Sequence, residues 1–227
     1  MLWYDYYYLI SVVPALIIAG IAQINVKKTY NNMAKVANKK RITGAEAAAR
    51  VLAHYGINNV KIEPGHGKLS DHYDPRSNVI RLSPEVYSGT SIAAVGIACH
   101  EAGHAAQHAQ NYIPIKVRNA ILPVANIGST FGFYLAIFGY FLGYGFLIDI
   151  GVILFASVTV FQLVTLPIEF NASRRAIAVI GDTGMLYDDE VPQAKKVLFA
   201  AAMTYVASLL VSIMSLLRLI LRTRNRR

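Results

Sequence analysis

Four stretches of this chain read as membrane spans. Residues 7–26, 119–141, 144–168 and 199–220 hold ninety residues and only two charges, Asp149 and Arg218. The other 137 residues carry 33 of the 35 Asp, Glu, Lys and Arg side chains, about 24%, close to the roughly 25% of soluble domains. The low overall charged fraction, 15%, is therefore an average of two populations. At about 1.5 Å of helix rise per residue, each stretch is long enough to cross a hydrocarbon layer of ~30 Å. The pattern predicts an α-helical integral membrane protein with about four transmembrane helices and a small α+β domain between them. It excludes a simple soluble enzyme, a secreted disulfide scaffold and a disordered chain.

The net charge of +9 points the same way. Basic residues gather at the edges of the apolar runs, as in Lys27-Lys28, Lys39-Lys40-Arg41, Arg174-Arg175, Lys195-Lys196 and the tail 221–227 with Arg222, Arg224, Arg226 and Arg227. That placement suits a lipid bilayer as partner and argues against nucleic acid. Trp3, Tyr4, Tyr6, Tyr7 and Tyr8 precede the first span like an interfacial belt, and no basic region stands before it, so 7–26 reads as a retained span. Cys99 is alone and forms no internal disulfide. With four crossings of the cell membrane both polar pieces share one side. The twelve basic residues near span ends there favour a cytoplasmic catalytic domain. The basic tail pulls the other way, a conflict that disappears if 199–220 is re-entrant or lies in the plane.

Residues 27–118 form the main polar block. Thr43-Gly-Ala-Glu46 has capping-box spacing, and Gly56 marks a helix stop. The runs at 60–63, 68–73 and 78–83, separated by Pro64-Gly65 and Asp74-Pro75, predict a small antiparallel sheet. Ser91 caps a helix that runs to about Gln110 and ends before Pro114. Spans 2 and 3 form a hairpin over 119–168, 169–198 is a second polar piece, and 199–220 is the fourth span.

The helix from Ser91 contains His100-Glu101-Ala102-Gly103-His104. Residues four apart share a helix face, so both imidazoles can bind one metal ion. The offset glutamate can sit against a metal-held water, whose pKa zinc lowers toward ~7, and act as general base against a carbonyl. This is the HExxH pattern of metalloproteases. A catalytic zinc needs a third protein ligand. His108 is eight residues from His100, about 12 Å of rise, too far for one ion without a helix break, and reads as a rim residue or one touching a ligand. Glu169 opens the second polar piece directly after the hairpin. Two crossings return the chain to the face it left, which makes Glu169 the stronger candidate. The alternative is a glutamate satisfied by a helix N-terminus.

Asp71-His72-Tyr73-Asp74-Pro75, IRLS at 80–83, SIAAVGIACHEAGHAAQHA from 91 and LPIEFNASRRA at 166–176 together resemble the YugP-type family of membrane zinc metallopeptidases. The likeness covers about 40–200, and the order of HExxH, hairpin and glutamate-bearing helix is also similar to the HtpX-type membrane proteases. The resemblance implies a zincin-like domain with a gluzincin site: His100, His104 and Glu169 on one zinc ion, Glu101 as base. The HtpX-type pattern has an Asp four residues after the glutamate, where this chain has Ser173, which can still accept a hydrogen bond but carries no charge. That leaves the carboxylate that usually orients a zinc histidine unassigned among Asp71, Asp74 and Asp182. Asn171 stands where YugP-type chains lead one to expect Asp.

Arg174 or Arg175 can stabilise the oxyanion of a tetrahedral intermediate, or equally serve in an ion pair or lipid contact. His72 and Tyr73 can donate to the same oxyanion, although a loop histidine is the simpler reading. The run 78–83 offers an edge strand to which an extended peptide can add. Cys99 reads as packing, and Asp149 as a group reaching water near the turn between spans 2 and 3. The expected function is a membrane zinc endopeptidase acting on membrane or membrane-proximal proteins. The rivals are an intramembrane-cleaving zinc protease and a non-catalytic, zinc-stabilised scaffold. Oligomeric state is not encoded in any feature of the sequence.

Overall fold

The computed structural model describes residues 6–224. Trp3 and Tyr4 of the aromatic cluster and Arg226 and Arg227 of the tail lie outside the described residues. The chain is mostly helical, with one three-stranded sheet. In order, a π-helical segment Tyr8–Val12 leads into α1 (Val13–Met33), then α2 (Gly44–His54), β1 (Lys61–Pro64), β2 (His72–Asp74) and β3 (Val79–Leu82). There follow α3 (Pro84–Tyr87), α4 (Ile92–Ala109), α5 (Ile113–Ile127), the π segment Gly128–Gly132, α6 (Phe133–Leu142), α7 (Gly145–Asp182) and α8 (Val191–Thr223).

Four helical runs are long and apolar enough to cross a membrane: Tyr8–Met33, Ile113–Leu142, Gly145–Asp182 and Val191–Thr223. Each outruns its apolar stretch, because a helix does not stop where its surroundings change from apolar to polar. Backbone hydrogen bonding carries α7 on through Glu169, Arg174 and Arg175 to Asp182. Glu169 therefore sits in a helix interior and not at a helix start.

The chain divides into two compact units. One takes the described residues up to Gln23, Lys116–Pro167 and those from Met203. Its helices approach closely through small residues, since a Cβ on Gly132 would meet the Phe155 nitrogen at 2.8 Å and one on Gly139 the Leu147 Cβ at 2.7 Å. Thr159 and Ser212 share a hydroxyl hydrogen bond of 2.8 Å. Phe131, Tyr134, Phe138, Phe146 and Ile153 stay exposed, an outer surface suited to lipid.

The second unit is Ile24–Ile115 with Ile168–Ala202. Its core joins Val51, Leu52, Ile80, Leu82, Ile92, Val95, Val179, Ile180 and Met185 with a row of alanines from α4. The capping box at α2 is complete, with Thr43 Oγ1 accepting from Glu46 N–H and Glu46 Oε2 from Thr43 N–H. Gly56 takes φ +67° after α2, and Ser91 Oγ accepts from Ala94 N–H at the start of α4. Glu190, 2% exposed, accepts from Lys39 N–H and Tyr187 N–H and fastens the α7–α8 turn to the loop before α2.

The sheet corrects the antiparallel expectation. Its order is β1-β3-β2, with β1 parallel and β2 antiparallel to β3. Val79, Ile80 and Leu82 are all buried, so β3 belongs in the centre and 78–83 is not an edge. The edges are β1 and β2.

Candidate metal centre

α4 and α7 supply the convergent groups. His100 and His104 are one turn apart on α4, and their Nε2 atoms lie 3.1 Å from each other. Glu169 Oε2 lies 3.3 Å from His100 Nε2 and 3.6 Å from His104 Nε2. Ligands about 2.0–2.1 Å from a tetrahedral zinc stand about 3.3 Å apart, so the spacing of these three atoms suits that ion. The helices come this close because α4 has no side chain at Gly103. A Cβ there would meet the Ala172 carbonyl oxygen of α7 at 2.7 Å.

The outer hydrogen bonds decide where the protons sit. Gln107 is fully buried, and its Nε2 donates to the Ile168 carbonyl at 2.8 Å and to Asn171 Oδ1 at 2.9 Å. Its Oε1 is thereby left as the acceptor 3.0 Å from His104 Nδ1, which must be the donor. In the neutral ring, the Nε2 lone pair then points at His100 and Glu169. Ser173 Oγ, 3.1 Å from His100 Nδ1, is placed to accept its N–H in the same way. Glu169 Oε2 is buried with no hydrogen-bond donor. Three lone pairs meeting in a buried space repel one another unless a cation lies between them. The donor set, two imidazoles and a carboxylate, is one that zinc takes.

Burial works against the charged form of His104, but the neighbouring carboxylates of Glu169 and Glu101 outweigh it and raise its pKa above the ordinary histidine value. Burial pushes the Cys99 thiol well above the usual range, which agrees with a packing role. Glu101 lies beside the edge strand, where its Oε2 accepts from Tyr73 N–H at 3.0 Å.

The remaining sequence candidates are not brought into the cluster. Arg174 projects about 140° round α7 from Glu169 and lines a groove facing α8. Arg175 donates from Nε to Asn171 Oδ1 and from Nη1 to Gln110 Oε1. His72 is exposed, with Nδ1 2.7 Å from the Ser70 carbonyl. His108 Nδ1 lies 3.1 Å from the Tyr73 hydroxyl, which donates to Asn78 Oδ1.

Nor do the candidate carboxylates orient the histidines. Asp71 accepts from Ser83 N–H and Oγ. Asp74 accepts from Arg76 N–H and Ser77 Oγ and pairs with Arg81. Asp182 is exposed at the end of α7. A hydroxyl and an amide do the orienting instead. Ser173 was anticipated as an acceptor, while Gln107 was missed. Its one signal was position, since 100, 104 and 107 form a single helical stripe.

Comparison with known proteins gives two likenesses. Residues 8–224 match the family described as "putative neutral zinc metallopeptidase". The chain is 44% identical to the "putative membrane protease YugP" of Bacillus subtilis (strain 168) over 209 residues, 92% of this chain and 93% of that protein. No solved structure matches. Both likenesses cover more than nine-tenths of the sequence, and the chain belongs to this zinc metallopeptidase family.

Proposed function

We infer that this protein is a multi-pass membrane zinc endopeptidase with His100, His104 and Glu169 as metal ligands and Glu101 as general base. The observation that carries the reading is the convergence of three lone pairs within 3.6 Å of one another, two of them on rings whose Nδ1 partners orient them. Zinc bound there would supply Lewis acidity, polarising a peptide carbonyl and lowering the pKa of water toward ~7.

The chain's own groups do the rest. Tyr73 N–H holds one oxygen of Glu101, and the other can take a proton from the water as its oxygen adds to the carbonyl carbon. Glu101 then passes that proton to the amide nitrogen as the C–N bond breaks, giving a free carboxyl and a free amine.

Chain connectivity supports membrane or membrane-proximal substrates. α4 ends at Ala109 and α5 begins at Ile113, while α7 runs unbroken from its apolar half through Glu169. The basic residues flanking the spans support a cytoplasmic catalytic side.

Metal analysis and peptide cleavage of Glu101→Gln and Glu169→Ala test the assignment. Glu101→Gln should keep zinc and lose activity by at least about 10²-fold, within the usual range for a general base. Glu169→Ala should lose or weaken zinc. Full activity in the first would refute the mechanism, and unchanged zinc affinity in the second the ligand set.

A further inference from the structure

Between the second half of α7 and the start of α8 lies a groove of about 270 Å³. Phe170, Arg174 and Ile177 face it from α7, with Lys195, Leu198 and Phe199 opposite on α8. The spacings i, i+4, i+7 and i, i+3, i+4 each define one helix face, so two apolar faces meet with one cation on each. No acidic residue lines the groove. Among the described residues no ion pair or hydrogen bond engages the side chain of Arg174 or Lys195, although the Arg175 side chain next door is doubly bonded. Phe199 keeps 56% of its surface exposed.

A groove with two uncompensated cations beside an exposed aromatic ring suits a ligand that is anionic at one end and apolar at the other. Inorganic phosphate would leave the apolar walls uncovered, and a neutral lipid would leave the cations unanswered. The position along the helices fits as well. Phe199 opens the apolar run of α8, and Arg174 stands six residues past the apolar run of α7. This is the depth at which juxtamembrane cations meet headgroups. The volume lies just below the roughly 300–1,000 Å³ of small-molecule pockets. It holds a headgroup and the first methylenes, with the rest of the acyl chains outside.

We propose that the α7–α8 groove binds one anionic glycerophospholipid, its phosphate between Arg174 and Lys195 and its acyl chains against Phe170 and Phe199. Ser173 lines the same groove and is the residue within hydrogen-bond distance of His100 Nδ1, so the lipid lies directly behind a metal-site histidine. This assignment rests on the membrane reading.

The test is native mass spectrometry of the full chain in non-ionic detergent, with phosphatidylglycerol and phosphatidylcholine added at equal concentration. The wild type should retain one phosphatidylglycerol in preference to phosphatidylcholine by about thirtyfold, the scale of two cation–headgroup contacts. The R174Q/K195Q variant should lose that preference, and K27Q/K28Q, altered in the second half of α1, should keep it. Equal retention of both lipids by the wild type overturns the proposal without needing any variant. So does a preference that survives R174Q/K195Q or is lost equally in K27Q/K28Q, as does displacement of the lipid by an acidic peptide. A chain that purifies as a monodisperse protein without detergent refutes the membrane reading and takes the lipid site with it. Detergent dependence without lipid preference refutes the lipid site alone.

Discussion

Replacing Gln107 with leucine removes the side chain that sets the proton on His104 while nearly preserving its volume. Asn171 Oδ1 keeps its bond from Arg175 Nε, and the Ile168 carbonyl lies in a helix interior where the next turn supplies a donor. The group left without a partner is therefore His104 Nδ1–H. One neutral hydrogen bond contributes about 0.5–1.5 kcal/mol, and a stranded buried donor costs about 1–3 kcal/mol. The ring can escape that cost by moving its proton to Nε2, which blocks the lone pair aimed at Glu169. Either way the loss falls on metal binding. Removing such an outer partner usually weakens affinity by about 10–100-fold, or about 1.4–2.8 kcal/mol, so the two estimates agree. Competition with a chromophoric zinc chelator measures it. Gln107→Glu separates orientation from packing. A carboxylate still accepts from His104 but meets the Ile168 carbonyl and Asn171 Oδ1 lone pair to lone pair. Gln107→Glu should then hold zinc near wild-type strength while its metal-free form melts at a lower temperature. Unchanged zinc affinity in Gln107→Leu, or equal losses in both variants, would refute the argument.

Gly103→Ala should cost about 1–3 kcal/mol as an overpacking change, because the new Cβ meets Ala172 backbone that has no rotamer with which to yield. Zinc affinity should fall alongside the melting temperature, and a variant that keeps both would show that α4 and α7 do not depend on that contact. Stripping metal from the wild type should lower the melting temperature, and one equivalent of zinc should restore it. At a free zinc concentration of a hundred times Kd the gain is about 2.7 kcal/mol. His104→Ala should show no such zinc-dependent rise, and scanning calorimetry in detergent distinguishes the two outcomes.

What the sequence disclosed depended on how local each physical cause was. The Thr43 and Ser91 caps, the Gly56 stop and the histidine pair are decided within a few residues, and all are in place. Glu169 is 65 residues beyond His104 and lies against the histidine pair, a proximity that the expectation of two crossings between them anticipates. The sheet order was hidden, since β1 meets β3 in parallel across an intervening strand and no hairpin signal records such a pairing. The helices run past the apolar stretches because hydropathy reports the environment, whereas the α7 hydrogen-bond ladder passes the change without interruption. Gln107 was missed because a buried glutamine reads in sequence like any surface helix residue. What buries it, the close approach of α7, is a fact about another part of the chain.

The same close approach changes how the five-letter motif should be read. As a search pattern, HExxH names three letters and leaves two open. In this protein neither open position tolerates much change: Ala102 is fully buried, and Gly103 rests on the Ala172 backbone. In this fold a bulky residue in place of Gly103 would push α7 away and carry Glu169 with it, leaving the two histidines in line without a carboxylate beside them. The glycine makes the pattern a specification for a pair of helices, and much of the information separating a metal site from an accidental match lies in the letter the pattern does not write.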